Sequence, residues 1–203
     1  MTSDELSAKM KTTAGCRFIA HKRLLALDAA WTRLTALTSA YLIVLTALPY
    51  FLTLPPHVAN HINLATLTMA VIVLIASLVQ YASNNSATGE QFHRSALEID
   101  EIRRDLESAK PELAEDALRV ATTRYNNLLQ KYSVNQDEID YVRYQYDRPD
   151  EYPWLSSRKR SIISFAVFWS KHWSAIVTFL ITCMWLALIF AYAIPRQILD
   201  PSL

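Results

Sequence analysis

The sequence predicts an all-α membrane protein, with an N-terminal two-helix transmembrane hairpin, a long coiled-coil-like cytoplasmic extension and a third, C-terminal transmembrane helix. Three observations predict it. Leu34 to Gly89, 56 residues, contains no Asp, Glu, Lys or Arg, and at about 20 apolar residues per crossing this stretch holds two spans. Only two glycines, Gly15 and Gly89, occur in 203 residues, which excludes a Gly-rich phosphate loop and a dinucleotide fingerprint and leaves little for tight hairpin turns. Outside the apolar runs, hydrophobic residues recur every three or four positions among charges, the period of an amphipathic helix. An apolar content of 52% fits a chain divided between lipid and water. The net charge of +1 makes no case for nucleic-acid binding, and Cys16 and Cys183 are too isolated for a disulfide framework or a CxxC site.

Residues 1–33 read as a basic amphipathic helix. Ser3, Asp4 and Glu5 suit a helix start, Leu6, Met10, Phe18, Leu24 and Leu25 draw its apolar side, and Lys9, Lys11, Arg17, Lys22, Arg23 and Arg33 fill the rest. Such a helix before a span is expected along the anionic inner leaflet, its basic residues at the headgroups. The hairpin occupies 34–81, with spans over 34–54 and 62–81 and a turn built from Pro55, Pro56 and His57 to His61. Six Lys or Arg precede the first span and none lies in the turn, so the N-terminus is expected inside and the turn outside. A signal peptide is not expected, because charged and mixed residues precede the first apolar run.

On the second span Thr66, Ala70, Val73, Ser77 and Gln80 share one small, polar face at spacings of three and four. It reads as a helix-packing surface, with a pore lining in an oligomer as the alternative. No ionisable Asp, Glu, Lys or Arg lies within the hairpin, which argues against ion-coupled transport.

The second span is expected to continue as one long helix to Ala109, and residues 82–133 to form a helical hairpin. Phe92, Ala96, Ile99, Ile102 or Arg103, and Leu106 form one stripe; Leu113, Ala117, Val120 or Ala121, Leu128 and Tyr132 form the other, with Pro111 in a first helical turn. Alone this pair buries little, so copies of itself or another protein are expected to cover it. His93 reads as a surface residue, since nothing near it in sequence completes a metal site. Residues 134–160 read as a linker, in which Tyr141, Arg143, Tyr144, Tyr146 and Trp154 are candidate partner contacts. The interleaved acids there would repel phosphate.

Arg158, Lys159 and Arg160, candidate membrane-surface residues, introduce a second apolar region. It divides into an interfacial piece over 161–171, carrying Trp169, and a crossing over 172–195, followed by the tail 196–203. Three crossings place the C-terminus outside. No spacing of His, Ser, Cys and carboxylates supplies a nucleophile, a base and oxyanion donors, so no enzyme, catalytic residue, metal site or cofactor is expected.

Gly15-Cys16-Arg17-Phe18, His21-Lys22-Arg23-Leu24, Tyr41-Leu42-Ile43-Val44, Phe92-His93-Arg94 and Asp140-Tyr141, in this order around a two-span hairpin, resemble the SLATT family. The name stands for SMODS and SLOG-associating two-transmembrane effector domains, and the likeness, over about residues 10 to 145, is to reverse-transcriptase-associated, retron-type members. The resemblance implies a toxic membrane effector of bacterial anti-phage defence. A sensor partner, such as a reverse transcriptase with its RNA-linked DNA, would restrain it, and release would disrupt the inner membrane in abortive infection. The partners expected are the bilayer, further copies of the chain and that sensor. The other reading is a membrane anchor or scaffold for a cytoplasmic sensor complex.

Overall fold

Helix α1 runs unbroken from Ser3 to Phe51. Thr2 caps it: its hydroxyl accepts from the Glu5 amide at 3.2 Å while the Glu5 carboxylate accepts from the Thr2 amide at 2.8 Å, a reciprocal box that satisfies two otherwise unpaired donors. The cap is thus one residue earlier than Ser3. Thr12, Thr13, Thr38 and Thr46 each donate to the carbonyl four residues back, so their hydroxyls need no outside partner. Pro49 lies in the last turn, where it has no amide to give the Leu45 carbonyl, and the helix runs to Phe51.

The computed structural model of the chain describes residues 1–51, 55–110, 114–154, 158, 160–169, 172, 173, 176, 177, 180 and 183. Among them there are α-helices, turns and bends but no strand. After α1 come α2 (Pro56–Ser83), α3 (Asn85–Glu107), α4 (Ala114–Lys131), α5 (Glu138–Tyr146) and a short apolar helix, α6 (Arg160–Trp169). The chain divides into two compact units. One joins Met1–Asp28 to Asn84–Phe168; the other holds Ala29–Ser83 and the described residues from Trp169 onward. Helix α1 belongs to both.

The first unit is a helical bundle. Leu6, Met10 and Ala14 of α1 pack with Ala96, Ile99, Ile102 and Leu106 of α3 and Ala121, Tyr125 and Leu128 of α4 in one buried core. Ala20, Leu24 and Phe92 form a second, smaller cluster. The α3 and α4 stripes meet as expected, but α1 covers them. Leu6, Met10 and Leu24, from the apolar side of residues 1–33, are therefore inside protein instead of lying along a leaflet, whereas Leu25 is exposed. Across α3 and α4, Lys131 and Tyr132 both bond Glu98, at 2.8 and 2.6 Å, and Arg124 pairs with Asp105 at 2.7 Å. These exposed pairs set register more than stability.

In the second unit α2 starts at Pro56, where a missing amide is harmless. His57 and His61 are consequently helical, not part of the turn, and 52–54 lies outside the described residues. Leu64, Leu67, Val71, Ile72, Leu74, Ile75, Leu78 and Val79 of α2 are exposed, as are Leu37, Ile43 and Val44 of α1. So much exposed apolar surface suits lipid, and Tyr50, Phe51 and Tyr81 supply aromatic residues near the span ends. Both α1 and α2 are long and apolar enough to cross a bilayer.

Two further expectations change. The helix continuing from the second span breaks at Asn84, which adopts the left-handed conformation at φ 47° and ψ 35°; Asn tolerates this where most residues do not. Within 134–160, expected to be a linker, Asp137 instead starts α5. The crossing over 172–195 falls almost wholly outside the described residues, and Pro111, Leu113, Lys159 and the tail lie outside them altogether.

Candidate functional site

Apart from Tyr41 to Val44, which belong to the second unit, the residues that carry the family resemblance lie in the first unit, most of them along α1 from Lys11 to Leu24 or packed against it. At Gly15 the ring of Tyr144, from α5, lies against the α1 backbone. A Cβ built there would overlap it, 2.6 Å from Cδ2 and closer still to Cε2. Tyr144 is fully buried, and the Arg148 guanidinium stacks on its ring at 3.8 Å.

Two ion pairs flank this contact. Arg23 forks onto Asp140, its Nε donating to Oδ1 at 2.8 Å and its Nη2 to Oδ2 at 2.9 Å, and Nη2 also donates to Asp137. Asp140, 1% exposed, additionally accepts from the Asp137 amide at 3.2 Å, so one carboxylate caps α5 and anchors it to α1. Toward the N-terminus Lys11 pairs with Glu151 at 2.7 Å. Residues 138–151 are thus fastened to α1 at three levels.

On the side toward α3, the His21 and His93 rings stack with centroids 4.7 Å apart, and Phe18 meets His93 edge-on at 5.7 Å. His21 Nδ1 bonds the Gly89 carbonyl at 2.9 Å. His93, expected at the surface, is therefore half-buried against α1. Arg17 is buried at 2% exposure, with Nη2 donating to the Val134 carbonyl at 3.4 Å, and burial lowers its pKa.

Cys16 is buried beside this group. Burial, with the negative charge of Asp140 second, pushes its thiol up to about 11. That shift from an ordinary thiol leaves about a hundredfold less thiolate. In a Cys183→Ser background, iodoacetamide should therefore leave Cys16 unmodified in the folded protein and alkylate it quickly in denaturant, read by mass spectrometry. Fast labelling of the native chain would contradict a closed α1 core. Among the described residues no three His, Cys, Asp or Glu side chains could hold a metal.

The candidate membrane-surface residues are dispersed. Lys9 is exposed and lies 5.8 Å from the Tyr125 ring centroid; Lys22, Arg33 and Arg158 are exposed; Lys11 and Arg23 are paired, and Arg17 is buried. Arg160 is half-buried and lines an open cavity of about 760 Å³ with Tyr146, Ser164, Phe165 and Phe168. Of the candidate partner contacts, Tyr141 and Trp154 are exposed, Arg143 and Tyr146 are half-buried, and Tyr144 belongs to the core. On α2, Thr66, Val73, Ser77 and Gln80 are half-covered, whereas Ala70 is exposed. The Thr66 and Ser77 hydroxyls donate to the carbonyls of Ile62 and Val73, and Gln80 Nε2 donates to Thr32 Oγ1 at 2.8 Å.

Asp137 and Asp140 were open to sequence reasoning as an N-terminal box, an acid followed three residues later by another. Arg17, His21 and His93 carried no local signal, because their surroundings come from distant segments. The family model described as SMODS and SLOG-associating 2TM effector domain family 5 matches residues 2–194. No curated protein and no solved structure matches the chain.

Proposed function

The chain belongs to this family of two-span effector domains, and from that premise we propose that it is a toxic effector of bacterial anti-phage defence, held silent in the inner membrane by a sensor partner. The observation that carries the reading is α1, one unbroken helix whose first half lies in the core of the bundle and whose second half is a membrane span. The basic excess before the span sets the bundle on the cytoplasmic side, within reach of a sensor such as a reverse transcriptase with its RNA-linked DNA, or a nucleotide-signalling protein. Release lets hairpins of several copies reorganise into a leak, and the cell dies or stops growing. A partner that holds the chain silent must bind the closed state more tightly by a few kcal/mol. No catalysis enters this reading.

A second reading, a non-conducting anchor, is favoured by the Thr66 and Ser77 hydroxyls, which are spent on their own helix backbone. Membrane potential and dye entry in induced cells, with and without the product of the neighbouring sensor gene, separate the two. The effector should depolarise cells within minutes when alone and not with its partner, and Ser77→Leu should abolish the effect. Unchanged potential under both conditions and under phage challenge would leave the anchor.

A further inference from the structure

Among the described residues of the bundle, four side-chain polar atoms are buried without a hydrogen-bond partner: Nε and Nη1 of Arg17, Nδ1 of His93 and the hydroxyl of Tyr144. All four serve one short stretch of α1. Arg17 is part of it, the Tyr144 ring lies on Gly15, and the His93 ring lies on Phe18 and His21. In the larger core, by contrast, the hydroxyl of buried Tyr125 has a partner, Thr13 Oγ1 at 3.0 Å.

Arg17 dominates this group, because an unpaired buried charge is far more costly than an unpaired buried hydroxyl or ring nitrogen. Its one bond is long, 3.4 Å to the Val134 carbonyl. Asp140 and Asp137 are occupied by Arg23, Glu151 by Lys11 and Glu98 by Lys131 and Tyr132. Burial outweighs the electrostatic effect of Tyr125 on Arg17, and the Tyr125 hydroxyl is shared with Thr13 at 3.0 Å. An unbranched apolar side chain would fill the same volume without this penalty. The arginine therefore works against closure of the bundle.

We propose that Gly15 to His21 of α1 is a release seam. The buried Arg17 guanidinium biases the bundle toward letting α1 go, and the Arg23–Asp140 pair beside it, with Asp140 buried, holds the seam shut. Withdrawal of α1 hydrates all four unpartnered atoms at once, so opening is favoured here over any other part of the core. For its effect in cells this rests on the effector reading; for its effect in purified protein it does not.

Hydrogen exchange of the full chain, in nanodiscs of phosphatidylethanolamine and phosphatidylglycerol, tests the seam through the amides of Ala96 to Leu106 and Ala121 to Leu128. Arg17→Met should slow their exchange at least tenfold, Arg17→Gln should slow it less, and Arg17→Lys should stay within threefold of the unaltered chain. Faster exchange or failure to fold in both Arg17→Met and Arg17→Gln would mean that the arginine stabilises the bundle, and would overturn the proposal. The same variants in the depolarisation assay test the effector reading separately. Slowed exchange with undiminished depolarisation would keep the seam and remove its link to membrane damage.

Discussion

Arg23→Ala should lower the stability of the helical bundle by about 3 kcal/mol, the lower end of what removing one partner of a buried ion pair costs. The lower end applies because Arg23 keeps 27% of its side chain exposed while Asp140 keeps 1%. The alanine leaves Asp140 buried with only the Asp137 amide as a bonded partner. A differential scan of the purified chain should show the bundle transition falling by roughly 10 °C. Asp140→Asn should cost less, about 1 to 2 kcal/mol, since the amide oxygen still caps α5 and the freed guanidinium reaches water. The double variant should recover part of the Arg23→Ala loss, because no unpaired carboxylate remains. If Asp140→Asn were the more damaging change, the pair would not be the anchor that its geometry implies.

Gly15→Ala should destabilise the bundle although alanine is the better helix former by about 1 kcal/mol. The added methyl group overlaps the Tyr144 ring, and overpacking of this kind costs about 1 to 3 kcal/mol. The ring cannot simply rotate away, because Arg148 covers its face and Tyr152 packs against it edge-on. Gly89→Ala is the matched comparison. There the Cβ would meet Leu24 Cβ at 3.6 Å and His21 Nδ1 at 3.7 Å, ordinary contacts, so the change should be neutral or stabilising by up to about 1 kcal/mol. Chemical denaturation of both variants decides. Equal effects would mean that α5 does not press on α1 at Gly15, and a smaller alanine cost in a Tyr144→Leu background would confirm the contact from the other side.

The spans were legible because lipid imposes a one-dimensional requirement: a run of residues without charge, long enough to cross. The α3 and α4 stripes were legible for a similar reason, since helical period is local. What covered those stripes was not. Leu6 and Met10 look the same in sequence whether they face acyl chains or Ile99 and Leu106, and lysines and arginines before a span invite the leaflet reading. Arg23 shows the limit most clearly. Its partner Asp140 lies 117 positions away, and no periodicity reports such a pairing. Buried Asp140 and Tyr144 also broke the α5 stripe, because a polar residue on the covered side of a helix reads as exposure. The resemblance had marked Gly15, Cys16, Arg17, His21, Arg23, His93 and Asp140 without saying that they meet.

The bundle is discontinuous in the chain: its first helix segment is separated from its other helices by the whole hairpin. Ser7 and its partner Glu107 lie 100 positions apart, a delay of about 5 to 20 s at ordinary rates of translation. Throughout that interval the apolar face of α1 and the charge of Arg17 have no complete α3 and no α4 to pack against, because both spans are made before those helices. Every copy of the protein is therefore born open and closes only afterwards. On the effector reading, a cell carrying this gene must survive that interval at each round of synthesis, which favours a sensor made first and capture of the nascent chain over inhibition of a finished one.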